Sequence, residues 1–201
     1  MKLFYGNDES EIQIGLDEAG RGSLAGPVFS AAVIWDSKKF DEQTAQIKDS
    51  KKLTKKKRYL LREYIELNAL SFTVNSCDNN VIDEINISNA TFRSMHMCLQ
   101  KTNVHFDRIL VDGDRFKPYM CNIHNCIPQG DNEYISIAAA SILAKTYHDD
   151  WIIEKCKDNP EFETKYKWLS NMAYGTLAHR QGILSHGINM YHRKTFCTKF
   201  L

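Results

Sequence analysis

The features that mark exported, membrane-bound or disulfide-stapled proteins are missing from this chain of 201 residues. No run of 18 apolar residues occurs, so no membrane-spanning helix is expected. The opening MKLFYGNDESEIQ has no apolar core followed by a small-residue cleavage site, so it does not read as a signal peptide, and a cytoplasmic protein is expected. Six cysteines, at 77, 98, 121, 126, 156 and 197, form no disulfide ladder, and in a reducing compartment most are expected as buried thiols. A Walker loop and a G-x-S-x-G elbow are both absent, which argues against nucleotide triphosphatases and serine hydrolases. Cys121, His124 and Cys126 have no second ligand pair at zinc-finger spacing, and a strand explains them better. His179 and His186 stand two turns apart, so they do not form the i, i+4 pair of a metallohydrolase helix. There is no internal repeat, no low-complexity tract and no Pro/Gly/Ser-rich linker, so one domain is the simplest reading.

Charge is nearly balanced at +1, and bulk electrostatics therefore does not point to nucleic acid. Its distribution is more informative. KDSKKLTKKKR (48–58) and the C-terminal HRKTFCTKF are strongly basic. A solvated helix face explains such a run, with Asp49 or Ser50 as the cap; contact with a phosphate backbone is the functional alternative.

Hydrophobic patterning gives a mixed order of elements. Strands are expected at 12–17 and 28–35, joined as an antiparallel pair by a Gly-rich turn, then at 70–76, at 108–112 and, more weakly, in CNIHNCIP (121–128). Helices are expected at 54–68, 89–102, 134–156 and 176–186. The third of these is apolar all round, which fits a helix buried against a sheet. The class is α/β, one layer of sheet with helices against it.

Two strands end in acids: IGLD in Asp17, followed by Glu18, and ILVD in Asp112. Ligands of open α/β sheets gather at strand ends, and neighbouring strands lie ~4.8 Å apart, close enough for two carboxylates to share a divalent ion. Such an ion removes the repulsion between buried acids. Glu18 joins the site only if the chain turns, because neighbours on a strand point to opposite faces. Gly20 and Gly22 permit a turn. Acids that cap turns or pair with surface lysines remain the structural alternative. On the long helix, spacing does not separate Asp149 from Asp150, since both lie beside apolar residues.

GLDEAGRGSLAGPV, DSKKLT, IDEINISNAT, ILVDGD, QGD before SIAAASILAKTYHDD, and YGTLAHRQGILSHGINMYHRKTF follow in the order and near the spacing of ribonuclease HII. The resemblance spans about residues 12–196. The related ribonuclease HIII class typically carries an added N-terminal domain and lacks Gly-Arg-Gly, so this chain is similar to the HII class. The resemblance implies a ribonuclease H-like α/β fold, a central mixed sheet flanked by helices, with about 1–165 as sheet core and a small C-terminal helical part at about 166–201 completing the substrate groove. It implies a metal-dependent endoribonuclease that cuts the RNA strand of RNA–DNA hybrids and incises 5′ of single ribonucleotides embedded in DNA, leaving 3′-hydroxyl and 5′-phosphate ends.

The family's four catalytic, metal-binding acids fall on Asp17, Glu18, Asp112 and Asp149, with Asp150 as a substitute or assistant to the last. Two Mg²⁺ or Mn²⁺ ions suit an all-carboxylate site, one activating water and one stabilising the leaving 3′-oxygen. Gly20, Arg21 and Gly22 correspond to the turn that reads the ribose 2′-hydroxyl, largely through backbone groups. Tyr174 corresponds to the tyrosine that packs on the deoxyribose at the RNA-to-DNA junction. Lys51, Lys52, Lys145, His192 and Arg193 are expected at phosphates.

Three departures stand out. Ser23 replaces a frequent proline, Gln129 replaces the lysine of Lys-Gly-Asp, and Met172–Ala173 replace lysine and glycine before Tyr174. A monomer is expected, acting on hybrid duplex and ribonucleotide-containing DNA. With the sequence ending five residues past HRKTF, no C-terminal sliding-clamp extension is expected. The competing readings are another two-metal nuclease of the same fold, such as a Holliday-junction resolvase or exonuclease, and a catalytically silent hybrid-binding protein.

Overall fold

A computed structural model describes residues 1–8 and 10–200. Strands β1 (Gln13–Ala19), β2 (Val28–Ile34), β3 (Ser71–Cys77), β4 (Arg108–Asp112) and β5 (Ile123–Ile127) form one sheet in the order β3-β2-β1-β4-β5. β1 and β2 pair antiparallel, as expected for a short Gly-rich connection, while β1–β4 and β4–β5 pair parallel. The sheet is therefore mixed.

Helices lie on both faces of this sheet. Helix α4 (Ile135–Asp158) crosses one face, where Ala138, Ala139, Ile142 and Leu143 meet Ala31 and Val33 of β2. Helix α1 (Lys55–Asn68) joins that side through Leu61 and Ile65. Helix α3 (Ile87–Lys101) covers the other face, packing Met95, Cys98 and Leu99 on Ile14, Leu16, Ile109 and Val111. The strand pleat assigns alternate residues of β1 to the two helical layers. The run of small residues in α4 lets its backbone come unusually near β1. A Cβ on Gly15 would lie 2.4 Å from the Ser136 carbonyl carbon and 2.5 Å from the Ile137 nitrogen.

Thr54 caps α1, its Oγ1 accepting from the Lys57 amide at 3.3 Å. Asp49 caps only the short 3-10 turn Ser50–Lys52 that precedes it, accepting from the Lys51 amide at 2.9 Å. Helix α2 (Asn79–Ile85), the first of several short helices beyond the expected set, begins at the Asp78 cap. The C-terminal region forms α5 (Glu161–Tyr166), α6 (Trp168–Asn171), α7 (Leu177–His186) and α8 (Lys194–Cys197). These short helices enclose a second core in which Phe162, Tyr166, Trp168 and Ile183 pack on Leu24, Ala25 and the last turns of α4. Backbone bridges Ser23–Tyr174 and Ala25–His192 stitch that region to the loop after β1. No helix among the described residues is long and apolar enough to cross a membrane. Cys77, Cys98, Cys156 and Cys197 are buried free thiols.

Gly15 is the narrowest contact between β1 and α4, and backbone atoms cannot step aside as a side-chain tip can. Gly15→Ala is expected to lower stability by about 3 kcal/mol or more, through forced separation of strand and helix. A urea midpoint equal to that of the parent protein would refute this.

Candidate active site

The parallel pairing of β1 with β4 runs from Gln13 with Arg108 to Leu16 with Val111 and stops there. Beyond that point β1 stays with β2 and β4 with β5, so the sheet opens between its central strands. Asp17 and Asp112 stand at this opening, the place in an α/β sheet where a ligand finds a crevice. Asp131, from the 3-10 turn Gly130–Asn132, enters from above β5. Ligand atoms of Asp17, Asp112 and Asp131 lie within 4.8 Å of one another. Asp17 and Asp131 are buried, and Asp112 Oδ1 is a buried acceptor with no hydrogen-bond partner.

Burial and mutual repulsion show in their acidities. Asp17 is pushed well above the ordinary carboxylate value, by loss of water and then by Glu18 and Asp112. Burial raises Asp112 too, opposed by the amides of Asp131 and Gly130 and by Lys51. Asp131 is raised to about 6 by burial, Asp112 and Asp49. An orphaned carboxylate oxygen among three crowded acids, all hard oxygen donors, fits a divalent cation of the Mg²⁺ or Mn²⁺ kind.

Glu18 follows Asp17 on the same strand, because β1 continues to Ala19 and does not turn at the acids. It reaches the opening because no strand pairs with β1 there on the β4 side. Glu18 lines a cavity of about 370 Å³ with Gly20, Arg21, Gly22, Ser50, Lys51, Ser141, Lys145 and Tyr174. Its carboxylate accepts from Arg21 Nη1 at 3.3 Å and stays outside the close group of three. Asp149 is likewise outside it. The Asp149 carboxylate is held on α4 by Lys145 Nζ at 2.7 Å and His148 Nδ1 at 3.0 Å. Burial works against its charge, but those partners hold its pKa below the usual carboxylate range. Asp150 points away: it accepts from Tyr59 on α1 at 2.6 Å and pairs with Arg62 at 2.5 Å. The structure thereby separates two neighbours that spacing left equivalent.

Arg21 is half-exposed at the mouth of the cavity, and Lys51 and Lys145 line it. Lys145 Nζ also stands 5.3 Å from the centre of the Tyr174 ring. Lys52 lies on the exposed rim, bonded to Asn132. Two expected phosphate contacts are corrected. Arg193 is fully buried and donates to the carbonyls of Gly20 at 2.7 Å, Arg21 at 2.9 Å and Gly26 at 3.0 Å. Its charge is spent inside the protein, fixing the Gly-rich turn from behind, and burial brings its pKa down to about 10. His192 is also buried, its Nε2 3.0 Å from that of His179, and loss of water lowers it to about 3. Neither side chain reaches solvent, so neither meets a phosphate. Tyr174 completes the turn's support, its hydroxyl accepting from the Gly20 amide at 3.2 Å. Cys121 is exposed on the approach to β5 and Cys126 lies within it, as a strand explains.

Asp131 binds its proton more tightly when folded than its ordinary value of 3.8 would allow. Its contribution to stability is complete below about pH 4 and disappears as pH rises through about 6. The depressed histidines act with the opposite sign, so a difference measurement is needed. In chelator, Asp131→Asn is expected to gain stability over the parent protein, the gain widening between pH 4 and 7 in urea titrations. A constant offset across that interval would contradict the assignment.

Comparison with known proteins bears on the family and the fold. The family model for ribonuclease HII matches residues 14–199. Ribonuclease HII of Parabacteroides distasonis is 46% identical over 94% of this chain and 92% of its own length. Ribonuclease H2 from Pyrococcus horikoshii OT3 has the same fold, with a TM-score of 0.75 at 22% identity, covering 94% of this chain and 96% of that one. Bst-RNase HIII, solved in complex with Mn²⁺, matches with a TM-score of 0.59 at 20% identity over 93% of this chain and 65% of its own. On the strength of the family match and the close relatives, the chain belongs to the ribonuclease HII family, endoribonucleases that degrade the RNA of RNA–DNA hybrids.

Proposed function

We propose that this protein incises duplex DNA on the 5′ side of an embedded single ribonucleotide, as well as cutting longer hybrids, and that it does so with divalent metal. The observation that carries the reading is one cavity lined by Glu18, the residue after Asp17 on β1, together with Gly20–Gly22, Lys51, Lys145 and Tyr174. Asp17, Glu18, Asp112 and Asp149 would hold Mg²⁺ or Mn²⁺, two ions during turnover, with Asp131 beside them. When bound, such ions supply an activated water and neutralise charge on the scissile phosphate and the departing 3′-oxygen. The products would be a 3′-hydroxyl and a 5′-phosphate.

The protein's own groups do the recognition. Lys51 and Lys145 face the cavity as phosphate partners, and Lys52 lies further out along the strand path. The amides of Arg21 and Gly22 donate to no backbone carbonyl among the described residues, which leaves them for a ribose hydroxyl. Gly22 is informative because the fold does not require it. A Cβ there would meet only the Tyr174 ring, at 3.8 Å, an ordinary contact. The requirement for glycine then comes from what enters between turn and ring, namely a sugar that must approach the backbone closely.

The direct test is a duplex containing one ribonucleotide, incubated with Mg²⁺ or Mn²⁺ and then with EDTA. Metal-dependent nicking 5′ of the ribonucleotide is expected, and Asp112→Asn should abolish it. Binding without cutting would favour a silent hybrid binder, and cleavage of all-DNA junctions would favour a resolvase. Gly22→Ala is expected to keep its stability to within about 0.5 kcal/mol, yet to lose on the order of a hundredfold in rate on the single-ribonucleotide duplex. Full activity in that variant would remove the turn from ribose recognition.

A further inference from the structure

Arg193 is a fully buried cation that pairs with no carboxylate among the described residues; its donors go to three backbone carbonyls. Burying a charge without a counter-ion is unfavourable, so packing alone does not account for arginine at this place. Which carbonyls it takes is informative. Nη2 donates to Gly20 at 2.7 Å and Nη1 to Arg21 at 2.9 Å. Each of these carbonyls belongs to a peptide unit whose N–H is that of the next residue, so the two units carry the amides of Arg21 and Gly22. No cis peptide bond occurs among the described residues, and in a planar trans peptide the N–H points opposite to the C=O. A guanidinium that draws both oxygens inward therefore turns both amides the other way. Those amides donate to no backbone carbonyl among the described residues, and Arg21 and Gly22 are exposed and line the cavity.

Other contacts hold the turn and its anchor in place. Arg193 Nε donates to the Gly26 carbonyl at 3.0 Å, and the Ser23 amide closes the turn on the Gly20 carbonyl at 3.2 Å. The main chain of Arg193 is itself tied down. Its amide donates to Leu24 at 2.8 Å, and the Lys194 and Thr195 amides donate to the Asp83 carboxylate at 2.8 and 3.0 Å. A cation on the carbonyl oxygens also polarises the two peptide units, which makes their N–H groups stronger donors.

We propose that Arg193 is a positioning residue that sets the preference for ribose over deoxyribose, by aiming the Arg21 and Gly22 amides at the 2′-hydroxyl oxygen and strengthening them as donors. This rests on the turn reading the ribose, as proposed above, and is independent of which carboxylates hold metal. Lysine does not substitute, because one ammonium cannot keep coplanar donors on two neighbouring carbonyls.

The test measures binding of two duplexes of one sequence, with and without a single ribonucleotide, in an Asp112→Asn background where neither is cut. That background is expected to prefer the ribonucleotide duplex. Arg193→Lys is expected to narrow the preference about tenfold, while affinity for the all-DNA duplex changes by less than about twofold. Arg193→Gln keeps a planar donor without the buried charge; it should narrow the preference in the same way, and it serves if the lysine variant does not fold. A general packing defect would weaken both duplexes alike. A preserved ratio in either folded variant overturns the proposal. The unsubstituted protein gives a second readout: the Nη resonances of Arg193 are expected to be distinct and slow to exchange, and a freely rotating guanidinium overturns the proposal. If the guanidinium is fixed yet the background binds both duplexes equally, the turn does not read the ribose, and the role of Arg193 falls with that reading.

Discussion

Crowded negative charge at the opening between β1 and β4 is the constraint around which the molecule is organised. Three carboxylates within 4.8 Å, largely out of water, repel one another and lose hydration. The backbone holds them there in spite of that. Asp17 and Asp112 are fixed by strands whose preceding residues, Leu16 and Val111, are locked in parallel register and buried under α3. Gly15 lets α4 press on β1 from the other side, so the strand end has no freedom to relax. The surrounding cations follow from the same field. Burial alone would depress Lys51, yet Asp17, Asp49, Asp131 and Asp112 together raise it, so its ammonium is held charged beside the acids. Lys145 sits on Asp149, and Arg21 on Glu18.

The wall opposite the acids is rigid for a different reason. A loop rich in glycine would ordinarily pay a high entropic cost for one conformation. Here three carbonyls of that loop, at Gly20, Arg21 and Gly26, converge on one buried guanidinium, Arg193. The fixed fork of arginine suits this, since its donors lie in one plane and cannot be traded for a single ammonium. The Gly20 amide is held by the Tyr174 hydroxyl, so both sides of the peptide are occupied from within. The amides of the next two residues donate to no backbone carbonyl among the described residues.

Much of this was legible in the residues, and the failures have physical causes. β4 begins and ends where the apolar run RILVD does, because a strand buried on both faces carries its boundaries in composition. The short helices α2, α5, α6 and α8 escaped because one or two turns carry too little periodicity to separate from a loop. Asp131 lay inside a recognised Gln-Gly-Asp stretch but reads as a turn acid; only the fold brings it to β4. Arg193 and His192 misled for the converse reason. Charged side chains in a basic C-terminal run look like surface, yet Arg193 is buried against carbonyls about 170 residues away in sequence and His192 against His179. Asp149 and Asp150 were separated by what α1 offers, a tyrosine and an arginine, and not by their own positions on α4.

The segment presenting Tyr174 shows how such a site tolerates local strain. Met172 and Ala173 have φ of 48° and 60°, the left-handed region that costs an ordinary residue about 1–2 kcal/mol each. Glycine at 173 would avoid the cost, but alanine places a fully buried methyl in the core with Trp168 and Tyr166. Burial of that methyl, worth about 0.8 kcal/mol, offsets part of the strain. Hydrogen bonds offset more: the Tyr174 amide donates to Asn171 at 3.0 Å, and His179 Nδ1 lies 3.1 Å from the Tyr174 carbonyl. With Trp168 donating to His179 Nε2, that nitrogen holds a lone pair and Nδ1 carries the proton, so the Tyr174 carbonyl is the acceptor. The backbone that presents the tyrosine ring to the cavity is thus held by a fully buried histidine, which fixes Tyr174 from the interior without itself lining the cavity.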